Sequence, residues 1–247
     1  MNDIKKLFEA QFNRTLEYLE TDLDTNIINE LENSILVKGI ELNVSNVNDF
    51  KTKSWNHILE LGLYRAICYF LTRLIKPNFF IETGVLHGLT SSFILEALAK
   101  NERGKLLSID YPSYFNQVPT NQDGHYDSLP KDKEPGWLIP ENLVENWEIL
   151  LGKSSEILPK VLRKKEKIDI FLHDSEHTYD TMFLEFNLVW PRLRKGGLLI
   201  ADNIIDNTAF FDFCNKVSTS PLIYSDLYYH IDTSLPLPIR FGIIQKK

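Results

Sequence analysis

From residue 78 onward the chain alternates short unbroken apolar runs with segments of helical period. This alternation constrains the fold more than any other feature of the sequence. Residues 78–83, 105–110, 148–152, 168–173 and 197–201 read as strands, and 89–100, 155–165 and 178–193 as helices. Strands that are apolar throughout must be buried on both faces, which calls for a parallel sheet covered by helices on each side. Residues 222–224 and 238–245 also read as strands. The link between them carries no crossover helix, so they are expected to pair antiparallel. The expected fold is therefore α/β, doubly wound and mostly parallel. Such sheets bind ligands at the carboxyl ends of their strands, near the point where strand order reverses.

Upstream of residue 77 the pattern is helical. Leu7, Phe8, Phe12, Leu16, Leu19 and Leu23 recur at steps of three and four, which predicts one helix with an apolar stripe. Ile27, Ile28, Leu31, Ile35, Leu36 and Val37 form a second apolar cluster, and 43–48 reads as turn and loop. Ile58, Leu61, Leu63, Ile67, Phe70, Leu71 and Leu74 predict a helix over 55–75, ended by Pro77, which disfavours helical geometry in the residue before it. The chain thus divides into a helical extension, 1–76, and a main domain, 77–247. The extension reads as a cap packed on that domain, or else as a homo-oligomer contact or a lid over a ligand. One stretch breaks the alternation. Residues 111–146 hold five of the 11 prolines together with Tyr111, Tyr114, Phe115, Tyr126 and Trp137. A loop of this length in a compact domain is usually functional, and its aromatic content fits a cover over a substrate.

Composition serves mainly to exclude. A net charge of -7 argues against a phosphate backbone as main partner. Two cysteines, Cys68 and Cys214, can build neither a disulfide framework nor a four-thiolate zinc site. No apolar run is long enough to span a bilayer, and the N-terminus lacks the pattern of a signal peptide. The expectation is a reduced, cytoplasmic protein with no membrane and no nucleic-acid partner.

Chemistry concentrates at three strand ends. After the strand ending at Thr83 comes Gly84-Val85-Leu86-His87-Gly88, which opens a helix; Glu82 precedes it and Thr90 and Ser91 follow. Glycines here allow a sharp turn and close passage of a ligand. Two glycines four apart suit a loop holding an amino-acid-like group more than one cradling a pyrophosphate. Asp110 closes the next strand, where a carboxylate can accept hydrogen bonds from ribose hydroxyls. The second cluster is His173-Asp174-Ser175-Glu176-His177-Thr178-Tyr179, and the third Ala201-Asp202-Asn203. Neighbouring parallel strands end side by side, so Asp174, Asp202 and Asn203 are expected to converge. Three oxygen donors with open positions suit a hard cation such as Mg2+. The alternative is that Asp174 and Asp202 only cap the helices after them. His173 is expected to face the core or a cofactor wall, Trp190 and Phe183 the core, and Asp180 and Glu185 solvent. His87 could approach either ligand or lie at the surface.

The segment Glu82-x-Gly84-x-x-x-Gly88-x-Thr90, followed by a strand ending in Asp110, resembles the cofactor site of class I S-adenosylmethionine-dependent methyltransferases. The resemblance implies a seven-stranded, Rossmann-like sheet with its last strand antiparallel. It also implies Glu82, Gly84, Gly88, Thr90 and Ser91 near the methionine part of the cofactor, Asp110 on the ribose, and Gly152-Lys153-Ser154 beside the adenine. Lys153 stands where the family often has an acidic residue. Asp174 borders the same pocket. The second and third clusters, with Leu193-Arg194-Lys195-Gly196-Gly197 between them, are similar to the metal-dependent O-methyltransferases. In particular they resemble the branch related to macrolide and aminocoumarin sugar O-methyltransferases and cephalosporin-hydroxylase-like proteins. That likeness carries over Asp174, Asp202 and Asn203 as ligands of Mg2+ or another divalent cation, and Glu176 as a general base. His177 is a second candidate for the base, or it orients a ligand or caps the helix beginning at Thr178.

The leading expectation is Mg2+-dependent methyl transfer to a hydroxyl of a small molecule, such as a sugar or natural-product scaffold. Two alternatives stand beside it: a cephalosporin-hydroxylase-like protein with different chemistry on the same fold, and a non-catalytic cofactor-binding or interaction protein. A nicotinamide dehydrogenase is disfavoured by the missing third fingerprint glycine.

Overall fold

The computed structural model describes residues 2–21, 27, 30, 63–114, 122–124, 128–164, 167–229 and 236–247. The elements in chain order are α1 (Asn2–Leu19), α2 (Leu63–Ile75), β1 (Phe79–Thr83), α3 (Leu89–Lys100), β2 (Lys105–Asp110), a 3-10 turn at Glu141–Asn146 and β3 (Trp147–Leu151). They continue with α4 (Ser154–Lys164), β4 (Ile168–His173), α5 (Tyr179–Val189), a 3-10 turn at Trp190–Arg192, β5 (Leu193–Ala201), α6 (Ala209–Lys216), β6 (Leu222–Tyr229) and β7 (Pro236–Gln245).

The seven strands form one sheet in the order β3-β2-β1-β4-β5-β7-β6. The pairs from β3 across to β5 are parallel. β7 runs antiparallel to both of its neighbours, as expected for the last strand. Strand order reverses between β1 and β4, so the switch point lies at their carboxyl ends.

Alternation along each strand sends successive side chains to opposite faces. Phe80 of β1 and Ile170 and Leu172 of β4 enter a core shared with α2 and α3. Ile81 and Phe171 enter a second core shared with α4, α5 and α6. Helices α1 and α2 pack on the first face. Phe12 of α1 packs at a tilt against Phe70 of α2 with ring centroids 4.4 Å apart, and Leu19 joins the same cluster. Polar contacts fix the helix to the sheet edge: the Thr15 and Tyr224 hydroxyls lie 2.7 Å apart, and the Tyr18 hydroxyl donates to the Ser220 carbonyl at 2.8 Å.

Several boundaries differ from the sequence reading. The helix expected to reach Leu193 stops at Val189, because Pro191 has no amide hydrogen for a continuing ladder and Leu193 already starts β5. Helix α6 was not anticipated, although Phe210, Phe213 and Cys214 carry a helical stripe. The second apolar cluster is described only at Ile27, the turn at 43–48 lies outside the described residues, and the helix expected over 55–75 is described from Leu63.

Candidate active site

The strand ends at the switch point are level. Backbone amides one residue past each strand continue the ladder: Asp202 to the His173 carbonyl at 2.9 Å, Asp174 to Thr83 at 2.8 Å, Gly84 to Ile109 at 2.9 Å and Gly152 to Asp110 at 2.8 Å. This row carries Asp110, Gly84, Asp174 and Asp202 along one edge of the sheet.

On the β1–β2 side each acidic group is engaged by protein donors. Glu82 is fully buried, and its Oε2 accepts the hydroxyls of Ser91 and Ser108, each at 2.7 Å. Its Oε1 is buried with no hydrogen-bond partner among the described residues. Burial raises its carboxyl to about 7, against the pull of the two serines. Asp110 holds the glycine loop: its Oδ2 accepts the amides of Val85 at 2.7 Å and Leu86 at 2.8 Å. Burial raises its carboxyl as well, and those two amides oppose the rise.

The two glycines meet tight steric limits. A Cβ at Gly84 would lie 1.8 Å from the Asp174 carbonyl oxygen, and φ there is +85°. A Cβ at Gly88, φ +81°, would lie 2.6 Å from the Gly136 Cα. The second contact shows where part of the long loop goes. Gly136 and Leu138 donate their amides to the Leu86 and His87 carbonyls at 2.9 and 3.0 Å, and the Trp137 indole donates to His87 Nδ1 at 2.8 Å. Burial lowers the His87 ring to about 4, so it is neutral and can accept that bond. Thr90 and Ser91 are buried on the first turn of α3.

Thr83, one residue past Glu82, points to the opposite face and reaches Glu185 of α5. The Glu185 carboxylate gathers donors from several strand ends: Thr83 at 2.7 Å, His173 Nδ1 at 2.7 Å, Ser175 at 3.0 Å and the Ser154 hydroxyl. The expectation that Glu185 faces solvent is overturned; its exposure is 0%. Burial alone would raise its carboxyl, but His173 and the hydroxyl donors reverse that and hold it below the ordinary value. Met182, Phe186 and Val189 are buried on the same helix face, and that stripe was the available signal for Glu185. Asp180 is exposed, as expected. His173 faces the core, and Phe183 and Trp190 pack against the second core.

On the β4–β5 side the balance differs. Asp174, His177 and Asp202 each offer a ligand atom within 4.8 Å of the others. His177 Nε2 lies 4.0 Å from Asp174 Oδ1. Oδ1 of Asp202 is buried with no hydrogen-bond partner among the described residues. Burial and then the facing Asp202 push the Asp174 carboxyl well above its usual range. Burial raises Asp202 too, against the pull of His177. Neither carboxylate is a helix cap, so the capping alternative falls: Thr178 caps α5, accepting the Thr181 amide, and α6 is preceded by Thr208. Asn203 has φ +48°, and its amide hydrogen-bonds Asp202. Glu176 is half-buried and accepts the Thr178 hydroxyl at 3.1 Å.

Three contributors were not foreseen. Tyr64, at the start of α2, donates to Asp174 Oδ2 at 3.3 Å. Its neighbour Arg65 acts electrostatically on both Asp174 and Asp202. Asp123, from the long loop, accepts the His177 amide at 2.7 Å and lies 3.5 Å from His177 Nδ1. Contacts 54 and 110 residues apart in sequence leave no local signal.

A seven-stranded sheet with a reversed last strand, a glycine loop at its switch point and acidic strand ends defines the class I methyltransferase architecture. A family model described as a methyltransferase domain matches residues 81–204, and the chain belongs to that family. Among solved structures, the O-methyltransferase TomG from Streptomyces achromogenes, involved in tomaymycin synthesis and solved with SAM, aligns at a TM-score of 0.55 and 14% identity. The alignment covers 87% of this chain and 91% of TomG. An O-methyltransferase from Bacillus cereus, solved with SAH, aligns at 0.51 and 13% identity, covering 97% and 100%. The methyltransferase PaMTH1 of Podospora anserina, bound to SAH, aligns at 0.51 and 14% identity, covering 97% and 96%. These likenesses concern the fold. No curated protein matches the chain. Among the described residues no helix is long and apolar enough to cross a membrane.

Proposed function

We propose that this enzyme transfers the methyl group of S-adenosylmethionine to a hydroxyl oxygen of a small molecule, with a divalent cation held at the β4–β5 strand ends. The single observation that carries the reading is the convergence of Asp174, His177 and Asp202 beside a glycine loop at the switch point. The donor set fits a cation: two carboxylates face each other, one with a buried oxygen that has no partner. The β1–β2 side fits the cofactor through the Glu82 oxygen that has no partner and a loop already pinned by Asp110.

In this reading Gly84, Gly88, Thr90 and Ser91 bound the methionine part, with Glu82 supplying negative charge toward its ammonium. Asp110 takes the ribose hydroxyls, and Ser154, at the start of α4, borders the adenine. Asp174 and Asp202, with Asn203 beside them, hold Mg2+ or a similar ion. Such an ion, when bound, orients the acceptor and stabilises negative charge developing on its oxygen. The sulfonium methyl is already electrophilic; the acceptor oxygen must lose its proton. Glu176 or His177 takes that proton. The oxygen–carbon bond forms as the carbon–sulfur bond breaks, leaving a methyl ether and S-adenosylhomocysteine. Alignment of oxygen, carbon and sulfur is the task of the rigid strand-end row. The acceptor enters beside α2, where Tyr64 and Arg65 border Asp174.

The test is methyl transfer from labelled S-adenosylmethionine to a panel of phenols, catechols and sugars, with and without chelator. Transfer that chelator abolishes, and that Asp202→Ala lacks, is the expected result. Full transfer by Asp202→Ala with chelator present rejects the metal mechanism.

A further inference from the structure

We infer that His177 is itself a ligand of the cation, oriented by Asp123 from the long loop, and that the site therefore prefers a first-row transition ion such as Mn2+ to Mg2+. This rests on the metal-site reading above and sharpens it.

The geometry comes first. Ligand atoms about 2.1 Å from one ion lie ~3–4 Å apart in an octahedral set. His177 Nε2 stands 4.0 Å from Asp174 Oδ1, and the three ligand atoms all fall within 4.8 Å of one another. The imidazole is thus already at ligand distance rather than one layer out, where a base waiting on an acceptor would stand.

The opposite side of the ring carries the second argument. A metal-bound histidine commonly turns its other nitrogen to a carboxylate, which fixes tautomer and ring plane. Asp123 Oδ2 lies 3.5 Å from His177 Nδ1, and the same oxygen accepts the His177 backbone amide at 2.7 Å. The Asp123 side chain is 2% exposed. A buried carboxylate from a separate segment therefore holds the backbone of one histidine and stands 3.5 Å from its ring nitrogen, on the side away from Asp174. The chain Asp123–His177–Asp174 has the order carboxylate, imidazole, ligand carboxylate. The His177 ring packs edge-to-face on His173, centroids 5.4 Å apart, and the His173 Nδ1 is taken by Glu185.

Donor chemistry sets the ion. Two carboxylates alone suit Mg2+; adding an imidazole shifts preference toward Mn2+ and the later divalent ions. With His177 Nε2 on the ion, the proton of the acceptor falls to Glu176. The long loop then takes part in the metal site through Asp123, as well as resting on the glycine loop through Gly136 and Leu138.

The experiment uses the full chain, freed of metal with chelator and loaded with Mn2+ alone. Pulsed electron paramagnetic resonance reads nitrogen coupled to the Mn2+ spin. Nitrogen modulation is expected, and it should switch to the 15N pattern in protein labelled with 15N-histidine. It should vanish in His177→Gln, whose fold is checked by S-adenosylhomocysteine binding. Titration with Mn2+ and Mg2+ separately should show Mn2+ bound roughly 100-fold tighter by the wild type. His177→Gln should narrow that ratio to within about tenfold, and Asp123→Asn should weaken Mn2+ by about tenfold while keeping the nitrogen signal. Mn2+ bound without histidine nitrogen coupling overturns the inference and leaves the metal reading intact. Failure of the wild type to bind Mn2+ or Mg2+ at all overturns both. Should His177→Gln not fold, the 15N-histidine pattern of the wild type decides alone.

Discussion

The two halves of the strand-end row bury their carboxylates alike but surround them with different neighbours. On the β1–β2 side Glu82 accepts two serine hydroxyls and Asp110 two backbone amides. On the β4–β5 side Asp174 and Asp202 face each other, and Asp202 Oδ1, like Glu82 Oε1, is buried with no hydrogen-bond partner among the described residues. The first half is built in advance and receives a ligand by shape. The second sets two carboxylates against each other, and the proposed cation would complete it. Burial raises all four carboxyls; serine hydroxyls and backbone amides oppose the rise at Glu82 and Asp110, whereas the facing Asp202 adds to it at Asp174. One sheet edge thus combines a rigid cradle with a charge trap, next to each other at the switch point.

The largest effect should come from breaking the seam between the halves. Gly84→Ala would place a Cβ on the Asp174 carbonyl in a backbone conformation that L side chains rarely adopt. A loss of more than about 4 kcal/mol is expected, read as failure to fold or a collapse of the thermal melt. Next is the trap itself. Asp202→Ala should lower turnover roughly 10^3-fold, equivalent to about 4 kcal/mol of barrier. S-adenosylhomocysteine affinity should stay within about threefold, because the cradle is untouched. An equal loss of cofactor binding would show that the halves are not separate.

Glu82 offers a smaller effect with a defined sign. Its folded carboxyl, about 7, lies above the ordinary value of 4.5. The folded state therefore binds the extra proton between those values, and stability falls as pH rises from 4.5 through 7. Glu82→Gln removes that slope, so the metal-free variant should gain on the wild type by about 3 kcal/mol between pH 4.5 and pH 8. The same variant should bind S-adenosylmethionine more weakly at pH 8. Melts at the two pH values check the first claim and calorimetry the second. Smallest is Trp137→Phe, which deletes the indole donor to His87. A loss of about 1 kcal/mol is expected, with faster hydrogen exchange at Gly136 and Leu138.

The cradle was far more legible in the sequence than what covers it. Glu82, Gly84, Asp110, Asp174 and Asp202 each sit within a residue or so of a strand end, and an apolar run that stops at an acid or a glycine is a local pattern. β–α alternation also fixed which ends would be neighbours. Glu185 was misread because a charged residue was taken at face value. Its place on the Met182–Phe186–Val189 stripe placed it inside, where His173, Thr83 and Ser175 could satisfy it. Tyr64, Arg65 and Asp123 were invisible for a different reason. Each reaches the site only through tertiary packing, and nothing near it in the chain distinguishes it from a surface or core residue. The helix α6 lay between these cases: its stripe was readable, but it is only eight residues long.

The most direct test of the charge trap is calorimetric titration of Mn2+ into chelator-treated protein, in buffers of differing ionisation enthalpy. One ion should bind per chain with release of protons. Affinity should rise with pH, since the raised carboxyls of Asp174 and Asp202 must ionise to accept the ion. The Asp174→Asn, Asp202→Asn double variant should show no binding heat while still binding S-adenosylhomocysteine. Equal binding of Mn2+ by the double variant, or no binding by the wild type, would contradict the account.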